Sequence, residues 1–199
     1  MHIPEELQQQ ISFLLEVDAL KQVFRKAALI KDLRAENDAE HSWHLAMMVI
    51  LLSKYSNDAE IDVLRTVKMS LIHDIVEIDA GDTFSYSPHD RDQKTAKERE
   101  AANRIFGLLP DDQAREFRLL WEEFEEMKTP EARFAAAVDR LQPLLLSFNT
   151  QGHTWLKYSV TKSQVIDRNR HIEKGSEVLW KYAKQLIDES VQRGYLPDG

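Results

Sequence analysis

Three apolar stretches of this 199-residue sequence carry ionisable groups where a buried helix has little use for them. LIHDIVEIDAG, Leu71 to Gly81, sets His73 and Asp74 among Leu71, Ile72, Ile75, Val76 and Ile78, with Glu77 one turn on and Asp79 and Asp82 closing the segment. AEHSWHLAMMVILL places His41 at the head of a second apolar run, and AAAVDRLQPLLLSF places Asp139 in the middle of a third. Burying such groups unpaired costs several kcal/mol, of order 2–7 for a neutral polar group and more for a charge. A fold built from these segments must bring the groups together or supply a counter-charge.

The rest of the chain reads as helix. Six glycines, six prolines, repeated 3.6-residue periodicity and little β-alternation predict an all-α, single compact domain over 1–199. Pro4 fits the first turn of a helix bearing Ile11, Leu14, Leu15 and Leu20 on one side, and the segment from Arg25 to Asp38 reads as a connection. Asn37 or Asp38 is the expected cap of the His41 helix. Asp58 is the expected cap of a continuous helix from about Ile61 to Ala80 that stops at Gly81. A polar loop with Pro88, a charged helix near Lys94–Leu108 and helices starting at Pro110 and Pro130 follow. The stretch from Asn149 to Val160 reads as a loop, and the terminal segment 160–192 as one long amphipathic helix from about Lys162 to Val191. Pro143 removes the helical donor for the Asp139 carbonyl, so a kink is expected there.

In a helix His73 and Glu77 share a face and Asp74 stands about 100° from His73, so all three can point into one pocket. His41, His73, Asp74 and Asp139 together supply two imidazoles and two carboxylates. That set suits one divalent ion such as Mn, Co, Fe, Ni, Zn or Mg. With no cysteine, thiolate ligation and disulfides are excluded. The formal net charge of −8 argues against a nucleic-acid polymer or an anionic membrane as partner. No signal-peptide pattern or ~20-residue apolar run is present, which gives a cytoplasmic expectation.

The pattern His, His-Asp and a distant Asp resembles the HD-domain metal-dependent phosphohydrolases. RAENDAEHS, IHDIVEIDAGD and VDRLQPLLLSF resemble blocks of the 5'-deoxynucleotidase-like subgroup, with core motifs spanning 34–149. The resemblance implies His41, His73, Asp74 and Asp139 as metal ligands, Glu77 as a carboxylate required for catalysis and Asp82 at the active site. It implies a small phosphorylated substrate, a 5'-(deoxy)nucleoside monophosphate first. Other phosphate esters, nucleoside triphosphates, an alarmone or a non-catalytic nucleotide or metal sensor are the alternatives. It also implies a homodimer, for which the apolar stripe of the last helix (Val165, Ile166, Ile172, Leu179, Ala183, Leu186) offers a seam or a core cover. Some members carry an Arg-Trp pair upstream of the first His, where this chain has Lys26-Ala27. Lys26 could hold a phosphate as a point charge, and nearby Arg25, Lys31 and Arg34 form a positive stretch in an acidic chain, so Lys26, Lys31 and Arg34 are the candidate substrate-binding cations, with Arg25 beside them.

Overall fold

The computed structural model describes residues 3–82 and 91–198. Its elements are α1 (Glu5–Val17), a 3-10 turn (Asp18–Gln22), β1 (Phe24–Ala28), β2 (Ala35–Asn37), α2 (Asp38–Leu52), α3 (Val63–Ile72) and α4 (Glu77–Ala80). After them come α5 (Arg91–Phe106), α6 (Asp111–Glu126), α7 (Pro130–Asn149), α8 (His153–Lys157), α9 (Lys162–Asn169), α10 (Ile172–Gly175) and α11 (Glu177–Gln192). The protein is all-α apart from one small hairpin. The loop with Pro88 lies mainly at 83–90, outside the described residues. No helix among the described residues is long and apolar enough to cross a membrane.

α7 is the central helix. Thr129 caps it by accepting from Ala132 N, and Pro130 opens it where a missing N–H costs nothing. One face gives Phe134, Ala137, Val138, Leu141 and Leu144 to a core shared with α2, α8, α10 and α11 around Trp155 and Trp180. The opposite face gives Ala132, Ala135 and Ala136 to a second core, where α1, α3, α5 and α6 meet around Phe13, Phe106 and Trp121. A run of alanines makes this double contact possible, because small side chains let helices approach from two sides. The helix continues through Pro143 to Asn149.

Several expected elements differ. The connection from Arg25 to Asp38 is an antiparallel hairpin, Phe24 opposite Asn37 and Ala28 opposite Ala35. Its turn is closed by Leu29 N–H donating to Arg34 O at 2.9 Å, with Leu33 in the left-handed region at φ 60°. No glycine marks that turn, so the sequence hides it. α1 buries Phe13, edge-on to Phe117 at 5.5 Å, and leaves Ile11, Leu14 and Leu15 exposed.

The expected helix from Ile61 to Ala80 is capped by Asp62, not Asp58, and breaks after Ile72. There the backbone tightens to i→i−3 bonds, Ile75 N to Ile72 O at 3.1 Å and Glu77 N to Asp74 O at 2.9 Å. The stretch read as loop after Asn149 contains α8. The terminal helix is three pieces, because Ser176 turns extended and caps α11, accepting from Leu179 N while donating to Tyr55 O. Its apolar stripe is core cover: Val165, Ile172, Leu179, Ala183 and Leu186 are all buried within the chain.

α10 packs tightly on α7. A Cβ built at Gly175 would lie 2.3 Å from the Arg133 carbonyl oxygen and 2.8 Å from Ala137 Cβ. Gly175→Ala is expected to destabilise the protein by about 1–3 kcal/mol through overpacking, read as a lowered midpoint in chemical denaturation. An unchanged midpoint would contradict this packing.

Candidate metal centre and active site

The site forms where α2, the α3–α4 turn and α7 meet. Asn37 caps α2 in a full capping box: its side chain accepts from Glu40 N, and Glu40 Oε2 accepts from Asn37 N. The cap sets α2 so that His41, in its first turn, is wholly buried. His41 Nδ1 lies 3.1 Å from Gln142 Oε1, one turn beyond Asp139 on α7, and Gln142 Nε2 donates to Glu36 Oε1 at 2.6 Å. An amide oxygen only accepts, so Nδ1 carries the proton and Nε2 keeps its lone pair. His73 repeats the device, its Nδ1 donating to Ser70 O at 3.0 Å.

Both free imidazole nitrogens therefore face the same place. His41 Nε2 is 3.1 Å from Asp139 Oδ1, and His73 Nε2 is 3.8 Å from that oxygen. One donor atom from each of His41, His73 and Asp139 lies within 4.8 Å of the others. Asp74 closes the side, Oδ1 at 3.1 Å from His73 Nε2 and Oδ2 at 3.9 Å from His41 Nε2. His73 Nε2 is buried and has no well-formed hydrogen bond. Two imidazole lone pairs beside two carboxylates repel unless a cation or protons sit among them, and this donor set fits one divalent ion.

A cation from the positive stretch that precedes α2 completes the centre. Arg25, from β1, bonds Asp38 Oδ1 at 3.0 Å and Asp74 Oδ2 at 2.9 Å, with Glu36 at 3.8 Å. Its guanidinium is held above its ordinary pKa: burial opposes this, but Asp74, Asp139 and Asp38 outweigh burial. Strand alternation puts Arg25 inward, while Lys26 is exposed on the same strand. Lys31 is exposed in the hairpin turn, and Arg34 forks onto the Glu40 carboxylate on the surface. None of these three is among the cations in contact with the centre. A strand reading of Val23 to Ala28 would have pointed to Arg25, but the segment has only weak alternation.

Glu77 is buried at the start of α4, next to Asp38 and Asp74 rather than one α-turn beyond His73, because the backbone tightens between them. Burial, then Asp74, Asp38 and Asp82, push its carboxyl well above the usual range, with Arg25 opposing. Asp38 is pushed up to about 6, by burial and Asp74 against the pull of Arg25. Asp82, half-buried just past Gly81 (φ 76°), is raised by burial and Asp74, with Arg25 and Lys94 opposing. Asp139 stays well below the carboxylate range despite burial, through Arg140, His41 and His73.

The pH dependence of ion binding follows. Burial lowers the His73 pKa, but Asp74 and Asp139 overcome it and raise it well above the ordinary value. For His41, burial and Arg25 are overcome by Asp139 and Glu36. Protons therefore compete with a divalent ion for the ligand nitrogens. Affinity is expected to rise with pH, its decline on acidification setting in above the ordinary histidine value of about 6.5. Manganese titration calorimetry in two buffers of different ionisation enthalpy should show proton release near neutral pH, and none would contradict the assignment.

Comparison with known proteins agrees with this geometry. Residues 17–180 match the family model described as HD domain. The 5'-deoxynucleotidase HDDC2 of Homo sapiens is 30% identical over 136 residues, 68% of this chain; the chain spans 65% of that protein's length. The 5'-deoxynucleotidase HDDC2 of Danio rerio is 27% identical over 187 residues, 84% of this chain and 92% of that one. The crystal structure of a predicted metal-dependent phosphohydrolase from Magnetospirillum magnetotacticum MS-1 is 50% identical. It superposes with a TM-score of 0.91 over 98% of this chain and 100% of its own. The protein belongs to the HD domain family.

Proposed function

We propose that the protein is a divalent-metal-dependent phosphohydrolase that removes phosphate from a small nucleotide, a 5'-(deoxy)nucleoside monophosphate first. The observation that carries this reading is the convergence of His41 Nε2, His73 Nε2 and Asp139 Oδ1, with Asp74 beside them and the buried Glu77 carboxyl close by. Its similarity to proteins named as 5'-deoxynucleotidases and as a metal-dependent phosphohydrolase supports the substrate class.

When bound, a divalent ion supplies Lewis acidity toward water and a phosphoryl oxygen. The remaining work falls to the chain's own groups. Glu77 is the proton-handling residue: a buried carboxyl that keeps its proton among other acids is matched to donate to a departing oxygen. Asp82, at the edge of the site, orients water or a substrate hydroxyl. Arg25 fixes Asp74 and brings positive potential for a phosphate into an otherwise acidic cluster. Lys26, Lys31 and Arg34 contribute at most to the approach of an anion.

The test is phosphate release over a panel of mono-, di- and triphosphates with several divalent ions. Release is expected from monophosphates. Asp74→Ala should lose both ion binding and turnover, whereas Glu77→Gln should keep the ion and lose turnover by about 100-fold or more, within the range for a general acid. Equal ion loss in the two variants contradicts these roles. Release from triphosphates alone overturns the monophosphate assignment, and none from any substrate favours a sensor.

We also propose that two copies pair through the outer face of α2 and α3. From Leu45 to Leu52 α2 carries apolar residues on every side, the pattern of a buried helix. Yet Trp43, Met47, Ile50 and Leu51 are exposed, Trp43 by 64% and Leu51 by 66%. Leu64 and Leu71 extend the patch on the adjoining α3, while Lys68 turns away to Glu116 at 2.6 Å. These six side chains leave on the order of 600 Å² in water, near the ~800 Å² each partner gives to a standard interface. A second copy is the fitting occupant, because chains of net charge −8 meet with least repulsion on an uncharged face. Leu51→Glu is expected to convert a dimer to monomer in light scattering. A monomeric wild type at micromolar concentration refutes the interface.

A further inference from the structure

The inward face of α5 changes character along its length. Ile105, Ala102 and Ala101 form a buried stripe in the core shared with α4 and α6, and the same stripe continues through Glu98 to Lys94. Glu98 is only 8% exposed, and Lys94 Nζ lies 3.2 Å from Glu98 Oε1. About a third of the lysine side chain stays in water, 34% by area. The ammonium therefore stands one turn beyond the last buried residue of the stripe, held from below and open from outside.

Helix stability does not account for this pair. A cation near the start of a helix opposes the macrodipole, and a lysine four residues ahead of a glutamate is the weaker order of an i,i+4 pair. Nor is it a solvated surface pair, because the carboxylate is buried. The groups around Lys94 belong instead to the centre. Burial raises the Asp82 carboxyl, and Arg25 and Lys94 both oppose that rise. On α6, Glu125 is raised by loss of solvent and by Glu98, with His73 and Lys94 opposing. Glu125 follows Phe124, whose ring meets that of His73 at 4.6 Å between centroids. Lys94 is thus bracketed by Asp82 just past α4 and by the Phe124–Glu125 turn of α6, the two helices on which α5 packs.

Arg25 already gives its bonds to Asp38 and Asp74. Among the described residues Lys94 pairs with Glu98 alone, and an ammonium has three donors. We propose that Lys94 is a substrate-binding residue whose ammonium donates to a non-bridging oxygen of the phosphoryl group presented at the His41–His73–Asp74–Asp139 centre, with Glu98 as the residue that positions it. This rests on the phosphohydrolase reading and adds the phosphate contact that Lys26, Lys31 and Arg34 do not make. A flexible point charge suits the task, because the phosphate oxygens change little in charge during a loose displacement.

The test uses the full-length protein as wild type, Lys94→Met, Lys94→Arg and Glu98→Gln. Inorganic phosphate is the binding probe, its affinity for the manganese-loaded protein measured by calorimetry. Steady-state turnover of a nucleoside 5'-monophosphate is followed in parallel. Lys94→Met, which keeps the stem, is expected to weaken phosphate binding and raise KM by about tenfold, the worth of one charge-assisted hydrogen bond, with kcat little changed. Lys94→Arg should recover most of the loss, because it returns the charge. Glu98→Gln should fall between wild type and Lys94→Met, since it keeps the ammonium but releases it; a wild-type KM there removes the positioning role. Manganese affinity should be alike in all four proteins. Unchanged phosphate affinity and KM in Lys94→Met overturn the assignment. A parallel fall in manganese affinity overturns it too, making Lys94 a counter-charge for the acidic cluster and nothing more. Phosphate binding that depends on Lys94, in a protein that releases phosphate from no ester, would remove the hydrolase reading and leave the assignment standing.

Discussion

One guanidinium holds the polar interior together. Arg25 reaches Asp38 and Asp74 directly and Glu36 at longer range, and its field extends to Asp139 and Asp82. Without it Asp38 and Asp74 would lose the guanidinium that bonds them both. Removing one partner of a buried charge cluster is destabilising by about 3–5 kcal/mol. Even with Arg25 in place the acids outnumber it, and Glu77 and Asp38 respond by retaining protons at higher pH than free carboxyls do. The interior thus carries more acids than cations, an imbalance that a divalent ion would offset and that shifts carboxyl pKa values in the way functional sites do.

α7 makes that cluster part of the architecture. The helix that separates the two apolar cores also carries Asp139 and, one turn later, Gln142. Gln142 joins His41 to Glu36, so the orientation of one imidazole is tied to the hairpin and to the central helix together. His73 gets its orientation locally, from the Ser70 carbonyl and from packing of its ring on Phe124 at 4.6 Å between centroids. The two histidines therefore depend on different parts of the fold, although their nitrogens meet in one place.

The spacing of His41, His73-Asp74 and Asp139 within apolar runs was enough to single these residues out, and the structure brings the four together. The Asn37 cap was legible, whereas the cap expected at Asp58 is Asp62. Pro130 opens its helix as expected, whereas Pro110 serves only as the residue before α6. What stayed hidden was tertiary in origin. The hairpin lacks a glycine turn and has a bulged register, so its local pattern resembles a loop, and with it went the role of Arg25. The break after Ile72 contains neither glycine nor proline; the tightened turn is imposed by burying His73, Asp74 and Glu77 together. The breaks in the C-terminal segment did leave a sign, Gly175 followed by the capping Ser176, which a purely periodic reading passes over.

The order in which the chain supplies its parts has a consequence for biogenesis. Arg25, Glu36, Asp38 and His41 are neighbours along the polypeptide and come together through one hairpin and one capped helix. Asp139 meets His41 across 98 residues, and Gln142 meets Glu36 across 106. During synthesis the early half-site therefore emerges long before the segment that completes it. Closing so long a span is entropically slow, which makes docking of α7 the step at which a weak, open imidazole pair becomes a closed cage. An ion that needs all four side chains would find its full ligand set only once α7 has docked.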